Sequence, residues 1–116
     1  MYLKVPKLFH VCVVLVLMLS VSFMVPAPAS AHKVSIFAYT SNGTIFTESY
    51  FPDGTPVSDG KIEIYDGRSH KLLEGKTDKE GKYSAPIPVK DDLTIVIDAS
   101  MGHKNSFVLK KDDLGE

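Results

Sequence analysis

Four histidines occur in the chain, and three of them, His32, His70 and His103, come after an apolar N-terminal stretch. His32 comes directly after Ala29-Ser30-Ala31, whose small residues have the A-x-A form of a signal-peptide cleavage site. Cleavage after Ala31 makes His32 the first residue, so that its α-amine and imidazole close a small chelate ring on one ion. Imidazole nitrogen suits nickel, cobalt, copper and zinc. An α-amine has an ordinary pKa of about 7.7–8.0 and must lose its proton to bind, so affinity rises with pH. Without cleavage His32 is an ordinary polar residue ahead of a strand. His103 lies in S-M-G-H-K-N (100–105), where Gly102 permits a sharp turn that lets Met101 and His103 project from one loop. The His32 amine, the His32 ring and the His103 ring then supply three nitrogen donors. The Met101 sulfur is a softer fourth, better matched to copper(I) than to nickel. The alternative is a solvated turn histidine with Met101 plugging the core. Asp98 precedes this loop within an apolar strand, either accepting the second ring nitrogen of a ligand histidine or facing solvent. His70, in G-R-S-H-K-L, reads as a solvated hairpin tip.

The remaining chemistry is sparse. Asp53, Asp59, Asp66, Asp78, Asp91 and Asp92 fall at turns, where aspartate bonds its own backbone, and no D-x-D-x-D calcium spacing appears. There is no G-x-S-x-G, H-E-x-x-H or glycine-rich phosphate loop. The single cysteine, Cys12, lies in the N-terminal stretch, so neither a disulfide nor a Cys/His pair is available beyond it. An enzyme is not expected. Some oxidative polysaccharide-cleaving copper enzymes do use an N-terminal histidine with a second one, but residues 32–116 offer little surface for a polymer. The net charge is −1, and the leader holds two of the 13 basic side chains and none of the 14 acidic ones. Residues 32–116 are therefore acidic enough to argue against nucleic acid, which calls for a basic patch.

The N-terminus has the composition of a secretory signal. Lys4 and Lys7 precede an uncharged run, residues 11 to 25, and small residues with prolines come next. A membrane-spanning helix needs about 20 apolar residues, which this run does not reach, although Leu8, Phe9 and His10 extend it. The expected division is a signal peptide over residues 1–31, with Ala31 and His32 flanking the cut, and one domain over residues 32–116. Ala27-Pro28-Ala29 is a competing site that would leave Ser30 first. An uncleaved membrane anchor is the alternative, and it excludes a free amine on His32. Either way the domain is expected on the periplasmic or extracellular face, free there or associated with the membrane.

The elements that must position these residues are strands. Val34, Ile36 and Ala38 share one face, Asn42-Gly43 suits a two-residue hairpin, and residues 44 to 51 return. Pro52 to Pro56 is a loop. Five more runs span 61–66, 71–78, 81–88, 93–100 and 105–111. Lys79-Glu80 reads as a hairpin between the second and third of these, with Gly81 available for a left-handed conformation. Seven short strands without a helical period predict an all-β fold, a seven-stranded antiparallel β-sandwich of immunoglobulin-like or transthyretin-like type.

Taken together, A-H-K-V-S-I-F-A-Y, T-E-S-Y-F-P-D-G-T-P-V-S-D-G-K-I-E-I-Y-D, L-L-E-G-K-T-D-K-E-G-K-Y-S-A-P-I-P and D-D-L-T-I-V-I-D-A-S-M-G-H-K-N-S-F-V-L resemble the small extracytoplasmic accessory component of nickel/cobalt transporters of the energy-coupling-factor type. T-D-K-E-G-K-Y alone resembles the hairpin of carboxypeptidase-regulatory-like and transthyretin-like modules. The resemblance implies an accessory protein for Ni²⁺ or Co²⁺ uptake beside a membrane transporter component, with His32 and the Met101-Gly102-His103 segment on the family's metal-site positions. Ser100 departs from the family's usual glycine. The chain also stops at Leu114-Gly115-Glu116, where related proteins often continue into a membrane helix. A periplasmic Cu²⁺ carrier is the second expectation. A sandwich without metal that binds protein through the aromatics Phe46, Tyr50 and Phe51 is the third.

Overall fold

A computed structural model describes residues 6–22 and 33–115. The chain divides into two compact units, residues 1–30 and 31–116. The first contains α1 (Lys7–Ser22), 16 residues with no acidic residue in its first turn. Leu8, Phe9, Val11, Val14 and Leu17 are all exposed around it. At 1.5 Å per residue the helix is about 24 Å long, and no helix among the described residues is long and apolar enough to cross a membrane.

The second unit is the expected antiparallel β-sandwich. Its strands are β1 (Ser35–Ser41), β2 (Thr44–Tyr50), β3 (Lys61–Tyr65), β4 (Lys71–Lys76), β5 (Lys82–Pro86), β6 (Leu93–Asp98) and β7 (Lys104–Leu109). One sheet has the order β1-β2-β5 and the other β4-β3-β6-β7. The period-two pattern determines which side chains enter the core. Ile45 of β2, Ile62 and Ile64 of β3, and Leu93, Ile95 and Ile97 of β6 have no exposed surface. β-Branched isoleucine packs well on a pleated surface. β1 and β2 are joined through Asn42 (φ 49°) and Gly43 (φ 75°), the two left-handed positions that a tight hairpin turn requires.

The flanks of the sandwich are closed by side chains. On one side the Phe37 ring of β1 meets the Phe107 ring of β7 edge-to-face, with centroids 5.5 Å apart. On the other, the Tyr83 ring of β5 fills the place a side chain at Gly75 of β4 would occupy.

That second contact corrects an expectation. Residues 71–78 and 81–88 are not the two arms of a hairpin: β4 pairs with β3, whereas β5 pairs with β2 in the other sheet. The turn itself is as tight as a hairpin's. Asp78 Oδ1 accepts the Glu80 and Lys82 amides at 2.9 and 3.0 Å, and Gly81 is left-handed at φ 77°. Turn chemistry reports a reversal of direction, and the partner on either side is decided by the buried faces that the strands present.

Candidate functional site

Because neighbouring strands are antiparallel, every second connection comes to the same end of the sandwich. One end carries the start of β1, the β2–β3 loop, the β4–β5 turn and the β6–β7 loop that contains Met101 and His103. The opposite end carries the Asn42-Gly43 turn, the β3–β4 turn with His70, and the η1 turn (Lys111–Asp113). A six-residue strand such as β6 spans about 20 Å, so His70 and His103 are held apart and cannot share an ion.

The β6–β7 loop is tightly specified. Ser100, Met101 and Gly102 take three successive left-handed conformations at φ 69°, 53° and 80°. Two of the three are not glycine, and such conformations persist only where the surroundings hold them. Here the His103 amide donates to the Ser100 carbonyl at 2.9 Å, and the Ala99 amide to the His103 carbonyl at 2.8 Å. Asp98 anchors the near side. Its carboxylate accepts the Ser100 amide at 3.0 Å and lies 3.5 Å from the Lys104 ammonium. The Ser100 amide, then the Lys104 charge, hold the Asp98 carboxyl below its usual pKa. Asp98 is therefore a brace of the loop.

The loop projects Met101 outward. The side chain is 94% exposed, so Met101 is not a core plug and its sulfur is open to a ligand. His103 is half-buried, its ring standing edge-on to Phe51 at 6.1 Å and 87°. The Phe51 backbone is fixed in turn, its N–H donating a hydrogen bond to the Thr55 carbonyl at 2.8 Å. Beside it lies a cleft of about 360 Å³ lined by Phe51, Val57, Asp59, Lys61, Asp98 and Ser100.

The start of β1 arrives at this same end. Val34 is fully buried, and its carbonyl accepts the Asn105 side-chain amide at 2.8 Å. Val34 beside Asn105, and Phe37 beside Phe107, mean that β1 and β7 run in the same direction along their shared flank. Val34 lies two residues after His32, and Asn105 two residues after His103. His32 itself, and the cleavage junction Ala31–His32, lie outside the described residues. Among the described residues no three histidine, cysteine or carboxylate side chains are grouped to hold a metal.

His70 is exposed, with its Nδ1 3.2 Å from Asp66 Oδ2. The His70 amide, and after it the Arg68 amide, keep the Asp66 carboxyl below its usual pKa. This is a turn fastening, as the polar composition of G-R-S-H-K-L implies. At the His103 end, sequence reasoning named Phe51 only as a docking aromatic and missed Asn105. The hydrophobic alternation that continues from β2 into Phe51 was visible, but which loop it would meet was not. Asn105 carried no signal of its own, because its partner is 71 positions away.

No family model matches the chain, and no solved structure matches it. It is 33% identical over 84 residues to an uncharacterized protein of Haemophilus influenzae, a match covering 69% of this chain and 52% of the relative. The chain thus spans about half the length of the curated relative it matches.

Proposed function

We propose that this is an extracytoplasmic accessory protein for nickel or cobalt uptake, a binding protein rather than an enzyme. The His32 amine and ring, together with the His103 ring, would capture Ni²⁺ or Co²⁺ and relay it to the membrane component of a transporter. The observation that carries the reading is the bond between Asn105 and Val34. It fixes the start of β1 beside the strand that leaves His103, and two further residues span at most about 7 Å. Nitrogen donors favour these borderline ions over calcium or magnesium. Three donors from the protein leave coordination positions open, which suits an ion that must be handed on.

A second reading, a copper carrier, draws on the exposure of Met101 beside His103, since a thioether suits copper(I). The deciding experiment is a calorimetric Ni²⁺ titration of the secreted protein, its first residue confirmed by intact mass. A companion sample carries one alanine inserted before His32, which moves the amine away from the ring. Binding that strengthens from about pH 6.5 to about pH 8, across the amine's ordinary pKa, and collapses with the insertion supports the reading. Equal binding in both samples, or none in either, removes the N-terminal chelate.

A further inference from the structure

The two outer faces of the sandwich are built differently. Across β3 and β4 the exposed groups satisfy one another. Lys71 Nζ donates to Glu74 at 2.8 Å, the Tyr65 hydroxyl donates to Glu63 at 2.8 Å, and Lys61 lies 3.7 and 3.6 Å from Glu63 and Glu74. The outer face of β1-β2-β5 presents rings instead. Phe46 points outward, since Ile45 and Thr47 on either side of it are buried. Directly opposed residues of antiparallel strands share a face, so Tyr39, Phe46 and Ser84 form one row across the sheet. The Tyr39 and Phe46 rings stack at 18° with centroids 5.3 Å apart, which covers one face of Phe46 from β1. On the β5 side stands Ser84, whose side chain ends at the atom after Cβ and cannot cover a phenyl face. The stack therefore stops one ring short. A cleft of about 540 Å³ opens there, lined also by Glu48, Lys82, Lys76 and Asp78. Glu48 is opposite Lys82 in register, yet the Lys82 ammonium lies 3.7 Å from Glu80. Among the described residues neither Glu48 nor Lys76 forms an ion pair.

We propose that this cleft binds a neutral sugar ring of a glycan, stacked on the uncovered face of Phe46. A sugar ring has an apolar C–H face, and those hydrogens are drawn to the negative face of an aromatic ring. Its hydroxyls both donate and accept, so they pair with Glu48 on one rim and with Ser84 and a lysine on another. Two carboxylates and two ammonium groups around the cleft favour a ligand without net charge. An anionic sugar meets Glu48 and Asp78, and a plain aromatic ring leaves the polar rims without partners. A peptide strand added along β5 is disfavoured by the edge itself. Pro86 has no N–H, the Lys82 amide is donated to Asp78 Oδ1, and the Lys82 carbonyl accepts the Asp78 amide. Neither a metal nor the N-terminal segment takes part, so this site stands apart from the function proposed above.

The test titrates the ¹⁵N-labelled protein with cellohexaose, chitohexaose and maltohexaose, with trigalacturonate as the anionic control, and follows backbone amides by NMR. The expected result is saturable shifts from at least one neutral hexasaccharide at Phe46, Glu48, Ser84 and their neighbours, and none at residues 98–104. Phe46→Leu should weaken that binding about tenfold, the scale of one stacked ring. Ser84→Tyr fills the slot with the chain's own ring and should abolish binding. Tyrosine suits a strand, so its melting temperature should not fall, which separates a blocked site from a lost fold. Three results overturn the inference: no shift at those amides with any neutral sugar, trigalacturonate binding as tightly as they do, or Ser84→Tyr binding like the parent. Shifts centred on residues 98–104 overturn it as well, by moving the sugar to the other end of the sandwich.

Discussion

At the scale of single residues, the His103 loop depends on a carboxylate. Asp98 accepts the Ser100 amide, and with its pKa lowered in the fold it stabilises the loop above the ordinary aspartate range near pH 3.9. That support is lost as pH falls through the depressed value and the carboxyl takes up a proton. Amide exchange at Ser100 is therefore expected to lose its protection on acidification below about pH 4. Asp98→Ala should remove that protection at every pH; a Ser100 amide still protected in that variant would mean that the turn holds itself. Two buried hydroxyls make a second, opposed pair. Thr77 Oγ1 accepts the Gly60 amide at 2.8 Å and donates to the Val57 carbonyl, so Thr77→Val strands both and should cost about 1–3 kcal/mol. Ser49 Oγ is fully buried with no partner among the described residues. Ser49→Ala removes an unsatisfied group and should leave stability unchanged or raise it by about 1 kcal/mol. Urea midpoints that move the same way for both would contradict the assignment.

At the scale of elements, the informative place is the flank where β4 faces β5. No ladder connects them, and the two sheets meet there through the Tyr83 ring lying over Gly75. A methyl at Gly75 intrudes on that ring, so Gly75→Ala should destabilise by about 1–3 kcal/mol, the usual penalty for overpacking. Shortening the partner with Tyr83→Leu should make the same change cheaper, a coupling that a thermodynamic cycle reads directly. If the cost of Gly75→Ala is the same with either residue at 83, the ring is not what closes this flank. The opposite flank is built differently, from the Phe37–Phe107 ring pair and the Asn105 clasp. Farther across the outer face of the first sheet, Tyr39 and Phe46 stack with centroids 5.3 Å apart. Thus Phe46, considered from sequence as a docking residue, is partly covered by its neighbour on β1.

At the scale of the molecule, one apolar core joins both sheets. Val34 and Leu114, near the two ends of the described domain, belong to the same cluster as Ile62 and Ile97. Such a core predicts a single cooperative transition for the β-sandwich unit. Ile97→Ala, at a fully buried position on the central strand β6, should lower stability by about 2–5 kcal/mol without changing the urea dependence. A biphasic curve would show that the two sheets unfold separately. The buried cluster lies in the strands and does not include His103, so the domain is expected to fold without metal.

The sequence by itself determined the β class, the inward faces and most of the turns. Those are local matters: the period-two pattern of L-T-I-V-I-D assigns Leu93, Ile95 and Ile97 to the core whatever lies across from them, and Asn42-Gly43 specifies its own reversal. His103 in a glycine-assisted loop was legible for the same reason. Pairing was not. A tight turn at 78–82 looks alike whether the chain stays in one sheet or crosses to the other, and only the packing of Tyr83 on Gly75 and the ladder of β5 on β2 decide it. Nor did the sequence show that Met101 faces solvent, since an apolar side chain beside a strand reads as core until its loop is seen to be left-handed three times over. Above all, the arrival of the start of β1 at the His103 end is marked by a bond between residues 34 and 105, and contacts of that separation exist only once both sheets have closed around their core.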